Sequence, residues 1–388
     1  MIFLNEEYSI ISPLSLPHTN SCCYFAFDLL KCSQDVARMG LHKENRMKLH
    51  NRKPDIENLY KVLRREEPDR PTLFELFMNR PLYERLAGRE LPREGVTALE
   101  DLKLVVEAFA AAGYDYATTN ASDFIFESGP HRQQSTISLN EGFVITDEAS
   151  FAAYKWPDAE QYDCSRLEKI RPFLPDGLKL MVMCPGGVLE NVITLTGYDN
   201  LCLMLYDNPS LVAAIFNRVG EGLLKYYELA LEYDTVGLLM SNDDWGFKTQ
   251  TFLSPADMAK FVFPWHKKYV DLAHRRGIPA LLHSCGYFMN MMDPVVDYMG
   301  FDGKHSYEDA ILPIEDCYEK WHSRIAILGG IDVNFIIQHS EEEITTRSRA
   351  MLKRSIGRGG YALGTGNSVP EFIPQDHYFA LLRAALEY

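Results

Sequence analysis

His283 and Cys285, two residues apart, close an apolar run and are followed at once by Gly286. Residues i and i+2 of an extended segment project from one face, so such an imidazole and thiol reach toward one point. Zn2+ accepts both ligand types, and a catalytic zinc keeps one coordination position open. The same tripeptide also describes a buried cysteine beside a hydrogen-bonded histidine. Asp243 and Asp244, ahead of Trp245 and Gly246, follow a second apolar run. Adjacent carboxylates point in different directions, so one of them is expected to face a cavity as ligand, proton carrier or orienter of His283. The alternative is a loop acid that binds backbone N–H groups near a helix start. His305, after Phe301-Asp302-Gly303-Lys304, is a further ligand or a proton carrier near neutral pH. Glu75, Cys184, Asp332, Thr365 and Asn367 each follow other apolar runs. The resulting expectation is catalytic Asp244, His305 and Asp243, metal ligands His283, Cys285 and Glu75, and cofactor contacts at Asn367 and Asp332. His266, His274, His322 and Cys317 fall on helical segments and read as core or surface residues.

These residues share a position only if their segments are strands of one parallel sheet, because function gathers where such strands end. Short apolar runs do alternate with amphipathic segments, the pattern of βα units. Candidate strands are 72–77, 114–118, 179–184, 236–241, 279–283, 300–303, 325–329 and 361–364. The expected fold is an α/β (β/α)8 TIM barrel with an N-terminal extension and a mouth-covering insertion. Ser254-Pro255-Ala256-Asp257 predicts a capped helix start, and Met258, Phe261, Val262, Trp265, Tyr269 and Leu272 follow one helical face before Gly277. Ser340 with Glu343 predicts a capping box, with Lys353, Arg354 and Gly357 at the far end. A third helix from Pro209 places Val212, Ile215, Phe216, Val219, Leu223 and Tyr227 on one core stripe. The stretch 122–156, centred on Ser128, Gly129, Pro130, His131, Arg132 and Gln133, fits no simple βα unit and reads as a lid hairpin. Residues 1–46 show no coherent period and read as a loosely held extension or a mis-set start, with a packed N-terminal element as the alternative. The barrel then occupies 47–388.

The chain of 388 residues carries a formal charge of −15, a field that repels polyanions, and no basic stripe interrupts it. Nucleic acid and membrane surfaces are therefore not expected as partners. No apolar run approaches the ~20 residues that span a bilayer, and Met1 to Asn5 lack the basic start of a signal peptide, so the expected location is the cytoplasm. Eight cysteines without framework spacing read as reduced thiols.

Taken in order, Pro68-Asp69-Arg70-Pro71, Asn242-Asp243-Asp244-Trp245-Gly246, His283-Ser284-Cys285-Gly286, Leu328-Gly329-Gly330-Ile331-Asp332 and Leu363-Gly364-Thr365-Gly366-Asn367-Ser368-Val369-Pro370 resemble the uroporphyrinogen decarboxylase superfamily. The resemblance spans roughly Pro54 to Tyr388 and is closest to the branch of zinc-dependent, corrinoid-linked methyltransferases. It implies a (β/α)8 barrel whose zinc is held by a His-x-Cys pair and a later cysteine. His283 and Cys285 match the pair, whereas Thr365 stands where the third ligand is expected, so Asp244, His305 or Glu75 would have to complete the site. A decarboxylase would instead show an N-terminal Arg-Gln-Ala-Gly-Arg-Tyr stretch and a histidine at the Thr365 position, and neither is present.

The leading expectation is thus a zinc-dependent methyltransferase that moves a methyl group between a small-molecule donor or acceptor and a corrinoid protein docked over the mouth. The alternatives are decarboxylation of a carboxylated tetrapyrrole, for which Arg80 and Arg132 are the obvious cationic anchors, and a non-catalytic barrel that binds a corrinoid or tetrapyrrole.

Overall fold

The computed structural model describes residues 49–130 and 138–388. The extension expected over 1–46, and His131, Arg132 and Gln133 of the expected insertion, lie outside the described residues. Seven strands form one parallel sheet in which each neighbours the next in sequence: β1 (Tyr116–Asn120), β2 (Lys179–Met183), β3 (Val236–Asn242), β4 (Ala280–His283), β5 (Gly303–His305), β6 (Ala326–Leu328) and β7 (Tyr361–Ala362). Consecutive parallel strands need crossovers, and helices supply them. Every residue of β3 is buried, which is why its sequence runs apolar without alternation, as in a sheet covered on both faces. Asn242 pairs with His283, His283 with His305 and His305 with Leu328, so the carboxyl ends of β3 to β6 stand side by side.

The candidate strand 72–77 is not a strand. It lies beside β7 through two isolated parallel bridges, Leu73 to Leu363 and Met78 to Val369. Toward β1, the Tyr116 hydroxyl accepts the Glu75 N–H at 2.7 Å and donates to the Glu75 carbonyl. A tyrosine side chain thus stands where a ladder to β1 would run, and the sheet is a seven-stranded, barrel-like α/β array. The sixth candidate strand starts later than expected. Gly300, at φ +79°, is the left-handed cap of the π-helical turn Pro294–Met299, so the strand begins at Gly303 and His305 lies within it.

The helix signals hold at side-chain level. Ser254 accepts the Asp257 N–H, and Ser340 and Glu343 cap each other reciprocally. Between Pro255–Asp257 and the helix Phe263–Arg275 runs a π-helical turn, Met258–Val262. Pro264 has no N–H to offer the Lys260 carbonyl, which accounts for the widened turn just ahead of it. The helix Pro209–Ala230 buries the six residues of its expected stripe. In 122–156 the described residues hold no paired strands. They hold the helix Glu148–Ala153, and Val144 and Ile145 both donate to the Leu195 carbonyl at 2.8 Å, which seats the segment on the helix Val188–Thr196. Among the described residues, no helix is long and apolar enough to cross a membrane.

Candidate metal centre

β4 ends at His283, and the loop beyond it turns at once through Gly286, whose φ is +83°. A Cβ at Gly286 would lie 2.0 Å from the Gly246 carbonyl oxygen, so glycine there lets the loops after β3 and β4 touch. The Tyr287 N–H donates to the Phe247 carbonyl at 2.7 Å across that contact. The Cys285 N–H donates to Asp244 Oδ1 at 2.8 Å, which draws the carboxylate toward the thiol. One ligand atom from each of Asp244, His283 and Cys285 then lies within 4.8 Å of the others. Cys285 Sγ is 3.4 Å from His283 Nε2, and Asp244 Oδ1 is 4.0 Å from it.

The protonation of this group follows from its hydrogen bonds. The Thr365 carbonyl can only accept, so His305 Nε2, 3.2 Å away, carries a hydrogen. Burial pushes His305 down to about 3, so its ring is neutral and its Nδ1 is a lone pair. His283 Nδ1, 2.9 Å from that atom, must therefore donate to it. Burial holds His283 neutral as well, far below its ordinary range, which leaves Nε2 unprotonated and directed at Cys285 and Asp244. An imidazole nitrogen, a carboxylate and a thiol thus converge, a donor set of the kind that can hold Zn2+. Burial also raises the Asp244 carboxyl, while its bonds from Cys285 oppose the rise. The Cys285 sulfur further accepts from Ser306 Oγ at 3.4 Å and Asn367 Nδ2 at 3.3 Å.

Ser306 sits at φ +81°, a left-handed conformation that costs a non-glycine residue about 1 kcal/mol. Lys304 holds it there. Its fully buried Nζ, pushed down to about 8 by burial, donates to the Ser306 carbonyl at 2.7 Å and to those of His305 and Ser284 at 3.2 and 3.4 Å.

The other expected site residues lie elsewhere. Asp243 turns to the opposite side from Asp244. Its oxygens accept from Leu189 N at 3.1 Å, Glu190 N at 3.0 Å and His266 Nε2 at 2.9 Å, and His266 Nδ1 meets Ser241 Oγ at 2.9 Å. Asp243 is therefore the backbone-binding acid that the sequence left open as an alternative, and the helix start it serves is that of Val188–Thr196. Asp332 caps the helix Val333–Gln338 through Asn334 and Phe335 and takes the Asp309 N–H on its other oxygen. Both of its oxygens accept from backbone N–H groups. Glu75 lies outside the group of three and is engaged by Thr365 Oγ1 at 2.9 and 3.0 Å. Burial raises it to about 8. Thr365 also donates to the Asn367 carbonyl, so a protonated Glu75 that donates to Thr365 satisfies all three groups. Asn367, expected at a cofactor, donates to the Cys285 sulfur. The sequence reading missed Ser306, Lys304 as a backbone clamp and His266 as the partner of Asp243. A histidine on the buried stripe of Phe263–Arg275 was the available signal for the last.

A family model described as Uroporphyrinogen decarboxylase (URO-D) matches residues 146–388. A uroporphyrinogen decarboxylase of Myxococcus xanthus (strain DK1622) is 21% identical over 169 residues, 43% of this chain and 44% of that protein, so the match spans less than half of the relative. A methyltransferase from Methanosarcina mazei superposes with a TM-score of 0.63, covering 85% of this chain and 97% of that one at 14% identity. At that identity the likeness concerns the fold. The matched residues 146–388 make up well over half of the chain and carry β2 to β7 together with Asp244, His283 and Cys285, which makes this protein a member of the uroporphyrinogen decarboxylase family.

Proposed function

We propose that the protein is a zinc-dependent methyltransferase that moves a methyl group between a small molecule and a corrinoid carried by a partner protein. The observation that supports it most is the convergence of Asp244, His283 and Cys285 with the His283 lone pair already turned toward the other two. Zn2+ bound there would supply a Lewis acid that polarises the heteroatom bearing the methyl group. In this reading His283 offers Nε2, Cys285 its sulfur and Asp244 a carboxylate oxygen. His305 fixes the His283 tautomer, and Ser306 and Asn367 donate to the sulfur and temper its charge. Asp244, raised by burial, can hold a proton when its carboxylate is released. Residues 72–78 act as the eighth stave of a (β/α)8 barrel, and the corrinoid partner docks over the carboxyl ends of the strands. The protein would work in the cytoplasm.

A tetrapyrrole polycarboxylate needs cations free to meet it. Arg80 is spent on Glu84 at 2.8 Å and Asp101 at 3.2 Å, which weighs against that substrate.

The test is incubation of the zinc-loaded protein with reduced cobalamin and a panel of methoxylated, methylamine and methylthiol donors, with methylcobalamin followed by absorbance. A parallel reaction offers uroporphyrinogen and follows coproporphyrin. Methylcobalamin is the expected product, and coproporphyrin without methylcobalamin would overturn the reading.

A further inference from the structure

Asn242 is the last residue of β3 and the register partner of His283, so the two side chains share one face of the sheet. Ser241 points the other way, to His266. Asn242 is fully buried, and its Oδ1 accepts from Cys184 N at 3.1 Å and from the Cys184 thiol at 3.3 Å. A backbone N–H can only donate, so the amide oxygen must face Cys184 and the orientation of the amide is fixed. Nδ2 then faces away, and it meets no acceptor among the described residues. Buried amides are normally satisfied, and each exception calls for a reason. Met183 and Met240 on the same face show that an apolar side chain fits this layer.

Thr118 repeats the observation independently. Through its pairing with Met181, and that of Met183 with Met240, it lies on the face of Asn242 and His283. Its buried Oγ1 also lacks a partner among the described residues.

We propose that Asn242 binds substrate, its amide donating hydrogen bonds to a ligand oxygen held beside His283. Because the Asn242 oxygen is occupied by Cys184, the residue offers donors alone. The ligand atom it meets must be an acceptor, which excludes an ammonium group and disfavours a weakly accepting thioether. Under the methyl-transfer reading the acceptor is the oxygen of a methyl ether or alcohol. That identity rests on the methyl-transfer reading, whereas the donor role of Asn242 does not.

The experiment is calorimetric titration of the full-length, zinc-loaded protein near pH 9 with 2-methoxyphenol and methanol, set against methylammonium and dimethyl sulfide, in wild type and Asn242→Asp. Aspartate keeps an oxygen for Cys184 and, once ionised, removes the donor; burial raises a carboxyl here as it does Glu75, so the ionised form needs the higher pH and lowers the melting temperature, while zinc content should match wild type. The expected result is a loss of roughly tenfold or more in affinity for 2-methoxyphenol and a new preference for methylammonium, a reversal that a purely structural role would not produce. A folded Asn242→Asp protein with unchanged ether affinity overturns the inference. So does a wild type that prefers methylammonium or binds neither oxygen compound, and this arm decides the matter if the variant does not fold. Ether binding that depends on Asn242 without any methylcobalamin would remove the methyl-transfer reading and leave this inference standing. Equal methylcobalamin formation by both proteins would do the reverse.

Discussion

Asp243 and Asp244 are adjacent in sequence and end in two different kinds of surroundings. On the Asp243 side the carboxylate is answered from within the chain: His266, Ser241 and two helix N–H groups close a buried network around it. On the Asp244 side, three metal-binding atoms crowd together and an amide and a hydroxyl on the neighbouring sheet face go unanswered among the described residues. The first arrangement is complete without a visitor, and the second is not. Polarity alone therefore does not mark the working region. Converging metal-binding atoms with unmet hydrogen-bonding capacity on the same sheet face do.

The comparison breaks most visibly at the metal. His283→Ala with Cys285→Ala should reduce bound zinc from one equivalent to background by elemental analysis, while Asp243→Asn should retain it. Retained zinc in the double variant would mean that the ions sit elsewhere. Stability should respond in the opposite sense: Asp243→Ala leaves His266 and two N–H groups without a partner and should cost about 3 kcal/mol by urea denaturation. Asp244→Ala should cost little and weaken zinc binding instead.

His305→Phe tests the tautomer relay and should lower zinc affinity about 10- to 100-fold by competition with a chelator. Glu75→Gln should act through pH. Burial raises the carboxyl from its ordinary 4.5 to about 8, so the folded state holds a proton that the unfolded state releases in between. Its stabilisation is full below pH 4.5 and is lost as pH rises through 8. Wild type and Glu75→Gln should match near pH 4.5, and the variant should be about 1–3 kcal/mol more stable near pH 9. A fall in its zinc content would instead place Glu75 among the ligands. The smallest effect belongs to Thr118→Val, which removes a hydroxyl with no partner among the described residues and should leave unfolding within about 0.5 kcal/mol of wild type.

The sequence carried the strand order and the helix caps because both are local: short apolar runs mark β2 to β4, and Ser254, Ser340 and Gly277 mark helix ends. The stretch 72–77 was apolar enough to pass for a strand, but Tyr116 takes over its pairing toward β1, and no local pattern announces that. His283 and Cys285 were legible because two residues of spacing places them together. The split between Asp243 and Asp244 was legible only as an alternative, since it depends on a helix start more than fifty residues earlier in the chain. Ser306 and Lys304 were not legible, because one acts through a backbone twist and the other through three carbonyls.

The relay that prepares His283 begins at the carbonyl of Thr365, an atom that every amino acid possesses. The proton arrangement of the site is thus written into the path of the main chain at that position and is indifferent to the identity of its side chain. The side chain at 365 answers to a different demand, since its hydroxyl meets the buried Glu75 carboxyl and the Asn367 carbonyl. One residue thus serves two neighbours by separate means, its main chain setting the histidine pair and its side chain the buried acid.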